Sequence, residues 1–378
     1  MKILHIADTH LGYSAYRKTN DEGINQREQD TYDAFHQFIE YAVQTKPDLI
    51  LHSGDLFDSV RPTNRAITFA LQQILRVSKQ GIPFIVIDGN HEHPKLRETG
   101  HIFSIFDHLE HVYPVYQETY KTLPFTIRKE KVLIHAVPQC ASKEHYEKEM
   151  KKIKLDSSAH YNILVTHGCV KGIQEFSMNE FNELFIPTAS LKAHFDYIAL
   201  GHYHKHTKVH DNAWYAGSPE RFTFADAGEQ KGFIEVECNG RLTPRFIPLQ
   251  NRSMIDAEPI DCSNLTIMEL MTQLKTTIKK IEPDRKIIRI TLQNIPPHLN
   301  RGIDYQTIKK LCEHSIHYEL KTNILKNEQE KPQGTSRIGA LVNEFERFLD
   351  NESIKEKNTL RKLGIDYIEK TITKEAEP

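Results

Sequence analysis

Short apolar runs of strand length punctuate the first 250 residues, and each ends abruptly in polar residues. Six stand out: KILHIAD (2–8), DLILHSGD (48–55), PFIVIDGN (83–90), KVLIHAVP (131–138), NILVTHG (162–168) and DYIALGH (196–202). Apolar residues at helical spacing lie between several of them, as from Tyr32 to Gln44 and from Arg65 to Gln80. Continuous apolar runs with helical connections predict strands buried on both faces in a layered α/β domain. From 205 to 250 the texture becomes hairpin-like, in KVHDNAWYAGS, KGFIEVECNG and RLTPRFIPL. A more antiparallel part thus completes the sheet.

The pattern changes again near residue 251. MIDAEPIDC, a helical stretch from Thr266 to Ile281, KIIRITLQNI, Tyr305 to Glu313 and HYELKTNIL form a β-α-β-α-β series. This predicts a small second domain over 251–326. NEQEKPQGTS is polar with Pro and Gly, which marks 327–336 as a linker. Beyond it, in 337–378, Ile338, Leu341, Val342, Phe345, Phe348 and Leu349 recur at helical spacing, followed by Leu360, Leu363, Tyr367 and Ile368.

Composition narrows the class. At 378 residues the chain is long enough for two domains. A net charge of −2, from 49 basic and 51 acidic residues, excludes bulk-charge coating of nucleic acid but not a local basic groove. The five cysteines are scattered without a C-x-x-C pair, so neither a disulfide framework nor a thiolate zinc site is expected, and a reducing compartment fits best. The N-terminal apolar run is too short for a signal peptide, and no stretch approaches the roughly 18 apolar residues of a membrane span. A soluble, cytoplasmic protein is expected.

The polar residues that end the apolar runs are metal-ligating types. Asp8 and His10 follow the first run, Asp55 the second, Asn90 and His91 the third, His167 the fifth, and His202 and His204 the sixth. Alternation along a strand predicts that Asp8 pairs with His10, and His202 with His204, on one face. Ligands gather at the carboxyl ends of strands in open α/β sheets, so residues distant in sequence can meet there. Carboxylate, imidazole and amide oxygen together suit Mn²⁺, Fe²⁺ or Zn²⁺. Seven candidate ligands exceed one tetrahedral centre and suffice for two ions bridged by Asp55. Such a pair binds a phosphate and activates a water. Gly54, Gly89, Gly168 and Gly201 permit tight turns beside these ligands. Any one motif is weak; the ordered set is not.

That set, D-T-H (8–10), GDLFD (54–58), GNHE (89–92), THG (166–168) and GHYH (201–204), resembles the signature of the calcineurin-like metallophosphoesterases over about residues 1–240. IADTHLGY, LHSGDLFD followed by RPTN, and ALGHYHK resemble more narrowly the SbcD/Mre-type DNA double-strand break repair nucleases, most of all their archaeal branch. The resemblance implies a β-sandwich flanked by helices within the α/β (α+β) class, a small β-α cap that assists DNA binding, and C-terminal helices that dock on an SbcC-type, SMC-like ABC ATPase. It implies a homodimer formed through helices matching Tyr32–Gln44 and Arg65–Gln80. It further implies a Mn²⁺-dependent exonuclease and endonuclease with two Mn²⁺ per subunit, acting on double-stranded ends and single-stranded regions. One ion would take Asp8, His10, Asp55 and His204; the other would take Asp55, Asn90, His167 and His202. His91 would protonate the leaving sugar oxygen. Many archaeal and eukaryotic relatives end the GDLF-x motif in histidine, where this chain has Asp58, so no role of that histidine carries over.

The polar segment from Gly12 to Asp30, with Arg17, Lys18 and Arg27, reads either as a DNA-contacting loop or as a solvated connection. Arg61 in SVRPTN has the same two readings. KEMKKIK (148–154) reads as an exposed helix face. The stripe of Ile338, Leu341, Val342, Phe345, Phe348 and Leu349 reads as a partner-binding helix. The competing functions are a small-nucleotide phosphodiesterase or phosphoprotein phosphatase with the same centre, and a non-catalytic scaffold. The cap and C-terminal helices disfavour the first, and the intact ligand set disfavours the second.

Overall fold

A computed structural model of the chain describes residues 1–170, 183–191, 194–238, 240–325, 342, 345–346, 349 and 357–375. The linker (327–336), Ile338, Leu341 and Phe348 lie outside the described residues.

All six apolar runs are strands. They are β1 (Lys2–Ile6), β2 (Leu49–Ser53), β3 (Phe84–Ile87), β6 (Glu130–Val137), β7 (Tyr161–His167) and β10 (Tyr197–Gly201). The hairpin-like region supplies β11 (Thr207–His210), β12 (Ala213–Tyr215), β13 (Gly232–Cys238) and β14 (Leu242–Pro248). Two further strands, β4 (Val112–Val115) and β5 (Lys121–Ile127), were not expected. Each carries a proline and forms the outer strand of its sheet, where a missing N–H is tolerated and the apolar signal is diluted. The short strands β8 (Cys169–Val170) and β9 (Phe185–Ile186) pair with each other in parallel.

One sheet runs β14-β13-β1-β2-β3-β4 and the other β11-β12-β10-β7-β6-β5. The central strands of each are parallel; antiparallel strands lie toward one edge of the first sheet, whose other edge strand β4 is parallel, and at both edges of the second. The sheets sandwich one core. Ile3, Leu49, Leu51, Ile85 and Ile87 meet Val132, Ile134, Ile163, Val165 and Ala199 between them. Alternate residues of the first sheet, Leu4, Ile6, Ile50, Phe84 and Val86, face a second core under helices α1 (Gln26–Thr45) and α2 (Asn64–Ser78). Helix α3 (Lys143–Lys151) buries Tyr146 and Met150 on the outside of the second sheet, with Lys148 and Lys151 exposed. Strands buried on both faces read as unbroken apolar runs, which explains why the sequence displayed them clearly.

The chain divides into two compact units. The first comprises Met1–Ile260, Thr266–Thr291 and Ile303–Lys321. Besides the sandwich it holds a helix at Ile267–Ile281, capped by Thr266 and Glu269, and a parallel pairing of Met254–Asp256 with Ile287–Arg289. The second comprises Asp261–Leu265, Leu292–Gly302 and Thr322–Pro378. Within it the Cys262 N–H donates to Gln293 O, and helix Lys357–Glu375 packs Gly364 against the Phe345 ring. Among the described residues no helix is long and apolar enough to cross a membrane.

Candidate metal centre

Strands β1, β2, β3, β7 and β10 deliver their following loops to one place. Backbone hydrogen bonds zip these loops together: Asp8 N–H to Gly54 O at 3.0 Å, His10 N–H to Asp55 O at 3.0 Å, and Gly168 N–H to Gly201 O at 3.2 Å. The His202 N–H donates to Asp8 Oδ1 at 2.9 Å and joins the loops of the two sheets. Close approach, rather than turn geometry, requires glycine at two points. A Cβ on Gly89 would collide with Asp55, and one on Gly201 with the Ser53 carbonyl.

The strand-alternation expectation holds in outcome for Asp8 and His10, which reach one group, and fails for His202 and His204, which part. β1 stops at Ile6 and β10 at Gly201, so all four residues lie on loops. Asp8, His10 and His202 have positive φ of 54°, 42° and 102°. The bend at His202 turns its side chain away from that of His204, which strand alternation would have kept beside it. His204 Nε2 lies 3.2 Å from His10 Nε2, whereas His202 Nδ1 lies 3.2 Å from Asn90 Oδ1.

Two groups result. Asp8, His10 and His204 bring one ligand atom each within 4.8 Å of one another, as do Asp55, His167 and His202. Asp55 Oδ2 stands 3.8 Å from His10 Nε2 and 3.3 Å from His167 Nε2, so it faces both groups. Asn90 Oδ1 is 3.0 Å from His167 Nε2. Asp8, His10, Asp55, His167 and His202 are at most 2% exposed. Yet Asp8 Oδ2 and Asp55 Oδ2 are buried without a hydrogen bond. An orphaned buried carboxylate oxygen is costly unless a cation meets it, and here it is surrounded by imidazole and amide donors. The residues fit a dinuclear centre.

The local field agrees. Burial would raise the Asp55 carboxyl, but His167, His91 and His10 around it hold it well below the usual carboxylate range. Burial and the Asp55 charge push Asp8 up to about 6, against the opposing pull of His167 and His10. His167, despite burial, is raised to about 10 by Asp55 and Asp8. Such buried charge recruits positive charge.

Comparison with known proteins decides the family. The model of the calcineurin-like phosphoesterases matches residues 1–206, more than half of the chain. The chain belongs to the calcineurin-like phosphoesterases. The phosphoesterase is 25% identical to the DNA double-strand break repair protein Mre11 of Sulfolobus acidocaldarius, over 87% of this chain and 85% of that one. It is 26% identical to the Mre11 of Methanococcus maripaludis, over 94% and 92% respectively. It is 31% identical to that of Methanocaldococcus jannaschii, over 64% and 63%.

His91 of the phosphoesterase sits beside the ligands, its ring 4.4 Å from that of His10, and its N–H donates to Asp55 Oδ1 at 3.0 Å. Its Nδ1 donates to the Asp58 carbonyl at 3.1 Å. The Asp58 carboxylate in turn lies 3.5 Å from His10 Nδ1, so Asp58 touches both histidines. His91, Asn90, Asp58, Arg61, His93 and Lys95 line a cavity of about 680 Å³ opening onto the centre.

Sequence reasoning missed several supporting residues. Glu92 is fully buried and accepts from Leu56 N–H (3.2 Å) and Gly89 N–H (3.1 Å), clamping two ligand loops together. Burial, with Asp55 and Asp88 nearby, raises its carboxyl well above the usual range. Glu183 contacts His202 Nε2 at 3.2 Å. The E of GNHE was visible as a motif letter; nothing in the sequence tied Glu183 to His202.

The basic residues proposed for DNA divide. Arg17, Lys18 and Arg61 are exposed. Arg27 is not available: it is 1% exposed and pairs with Asp30, Glu220 (3.4 Å) and the Arg221 carbonyl. The Asn25 side chain caps α1 by accepting from the Arg27 and Glu28 N–H groups, so the loop ends there and Arg27 begins a buried helix. Tyr16 stacks on His317, 3.9 Å between centroids, and anchors that loop. In the C-terminal stripe Leu349 is 3% exposed, and Phe345 packs on Gly364 within its own unit. Val342 is half-buried; the exposed apolar row is Leu360, Leu363 and Tyr367.

Proposed function

We propose that the chain is a DNA nuclease of the Mre11 kind, a Mn²⁺-dependent exonuclease and endonuclease that processes ends at double-strand breaks. The observation that carries this reading is the pair of ligand groups sharing Asp55, with His91 beside them, in a chain aligned with Mre11 repair proteins over nearly its whole length.

Asp8, His10, Asp55 and His204 would hold one ion, and Asp55, Asn90, His167 and His202 the other. Bound there, two divalent cations supply a water of lowered pKa and neutralise charge building on the phosphate oxygens. The mixed oxygen and imidazole set suits Mn²⁺. The protein's own groups do the remainder. Arg61 and Lys95 in the cleft hold the phosphate backbone, and Arg17 and Lys18 extend that contact. The Asp58 carbonyl holds the Nδ1–H of His91, so the imidazolium form gives its second proton, on Nε2, to the leaving sugar oxygen and is left neutral. Burial of the ligands excludes bulk water and strengthens each electrostatic contact.

In the same reading, residues 1–250 form the nuclease domain and 251–326 a cap that assists DNA binding. Residues 327–336 link it to a segment, 337–378, that docks on an SbcC-type ABC ATPase. Leu360, Leu363 and Tyr367 supply the exposed apolar contacts. Two copies pair through α1 and α2, whose surfaces meet each other in one chain.

The test incubates the purified protein with Mn²⁺ and end-labelled linear DNA, beside a chromogenic phosphodiester. DNA is cleaved, and His91→Ala lowers the rate by about 10²–10⁴-fold with bound metal unchanged. Hydrolysis of the small ester but never of DNA, even with the ATPase present, overturns the reading.

A further inference from the structure

A ligand histidine can offer a lone pair from only one ring nitrogen, and the group facing the other nitrogen decides which. His167 turns Nε2 inward, 3.0 Å from Asn90 Oδ1, while its Nδ1 donates to the Ser53 carbonyl at 2.9 Å. A carbonyl only accepts, so the proton sits on Nδ1. His202 is reversed. Its Nδ1 faces inward, 3.2 Å from Asn90 Oδ1, and its Nε2 lies 3.2 Å from Glu183 Oε1. Two acceptors therefore compete for its one proton. If the proton sat on Nδ1, His202 would present a donor to the cluster and could bind no cation there.

Glu183 is built to win that competition. It adjoins Leu184, whose carbonyl accepts from the Cys169 N–H at 2.8 Å, and the β8–β9 pairing continues from there. Gly168 has φ of 144°, and a Cβ on it would lie 2.6 Å from the Leu184 carbonyl oxygen. The Glu183 backbone is thus fastened directly to the loop that follows ligand His167. Its side chain is only 9% exposed. A carboxylate in such surroundings accepts far more strongly than the neutral amide oxygen of Asn90.

We propose that Glu183 is a positioning residue of the centre: it holds His202 in the Nε2–H tautomer and so presents Nδ1 to the ion shared with Asp55, Asn90 and His167. This rests on the ligand assignment proposed above.

The experiment needs no substrate. Metal-free full-length protein is titrated with Mn²⁺, and the free ion is followed by electron paramagnetic resonance. Wild type, Glu183→Gln and Glu183→Met are compared, with thermal melts as a check on folding. Gln and Met have nearly the same volume, so a packing role treats them alike, whereas only Gln keeps an acceptor oxygen. Wild type binds two ions. Glu183→Met weakens one of the two sites by about 10–100-fold, and Glu183→Gln, whose amide oxygen accepts only as well as that of Asn90, recovers part of that affinity. Equal binding by all three proteins overturns the proposal, as does equal loss in both variants. Cys169, Glu183 and His202 also bring one ligand atom each within 4.8 Å of one another, so three ions in wild type, falling to two in Glu183→Met and in Cys169→Ser, would make Glu183 a ligand and also overturn the proposal. Fewer than two ions in wild type removes the ligand assignment itself, a separate failure.

Discussion

Two buried sets of aspartate and histidine lie at the end of β3, and they solve the same electrostatic problem differently. Asp88 Oδ2 accepts from His93 Nδ1 at 2.8 Å and His101 Nε2 at 3.0 Å, while its Oδ1 accepts from the Gln139 N–H at 3.0 Å. Both of its oxygens are satisfied by the protein. Burial would lower the His93 pKa, but Asp88 and Glu118 together raise it, as in an internal ion pair. Asp8 and Asp55, by contrast, each keep one buried oxygen without a hydrogen bond. Histidines and acids in proximity do not make a metal site. The distinction lies in acceptors left unmet inside a ring of donors whose lone pairs face inward.

Asp55→Asn should have the largest effect. It removes the oxygen shared by both ligand groups, so phosphodiester cleavage falls by at least about 10³-fold and bound Mn²⁺ drops below two per chain. Retention of two tightly bound ions by this variant would place the bridge elsewhere. Asp88→Asn is the counterpart in the satisfied set. The Mn²⁺ stoichiometry stays at the wild-type value, while denaturant midpoints report a loss of about 1–3 kcal/mol from unmet histidine donors. A loss of one ion would erase the contrast and make Asp88 a ligand.

The smallest effect concerns a histidine buried with no acid beside it. His5 bonds Ser53 Oγ (2.6 Å) and Tyr197 OH (2.9 Å), and burial, with His206 and His52 nearby, lowers it to about 3. The unfolded chain takes up this proton near pH 6.5 and the folded one near 3. Between those values the unfolded state holds more protons, so stability falls as pH falls, by up to about 1.4 kcal/mol per pH unit. His5→Gln in metal-free protein should flatten the slope of melting temperature against pH across that window. An unchanged slope would mean that His5 does not contribute.

Much of the centre was legible because its ligands follow strands that are buried on both faces, and such strands advertise themselves as apolar runs. The six runs, both helices of the first sheet and the β-α series after 251 all appear near their expected positions. The four histidines of LGHYHKHTKVH separate in the structure. His202 and His204 reach the centre, His206 stacks between Trp214 and Phe246, and His210 is exposed beside Asn212. Errors arose where a local rule was extended past the end of a strand. Alternation failed for His202 and His204, which part because a backbone bend at His202 replaces the pleat. Arg27 resembled a loop cation because its partners Glu220 and Arg221 lie far along the chain.

By itself the sequence determined the layered α/β class, the strand-end placement of the ligands and the chemistry of the donor set, since these follow from periodicity and residue type. Only the tertiary structure decided how the candidate ligands divide into two groups, which nitrogen of each histidine faces inward, and that Glu92, Asp58 and Glu183 contact these residues or their loops. Those choices depend on hydrogen bonds between loops from different strands, and no local pattern encodes which loops will touch.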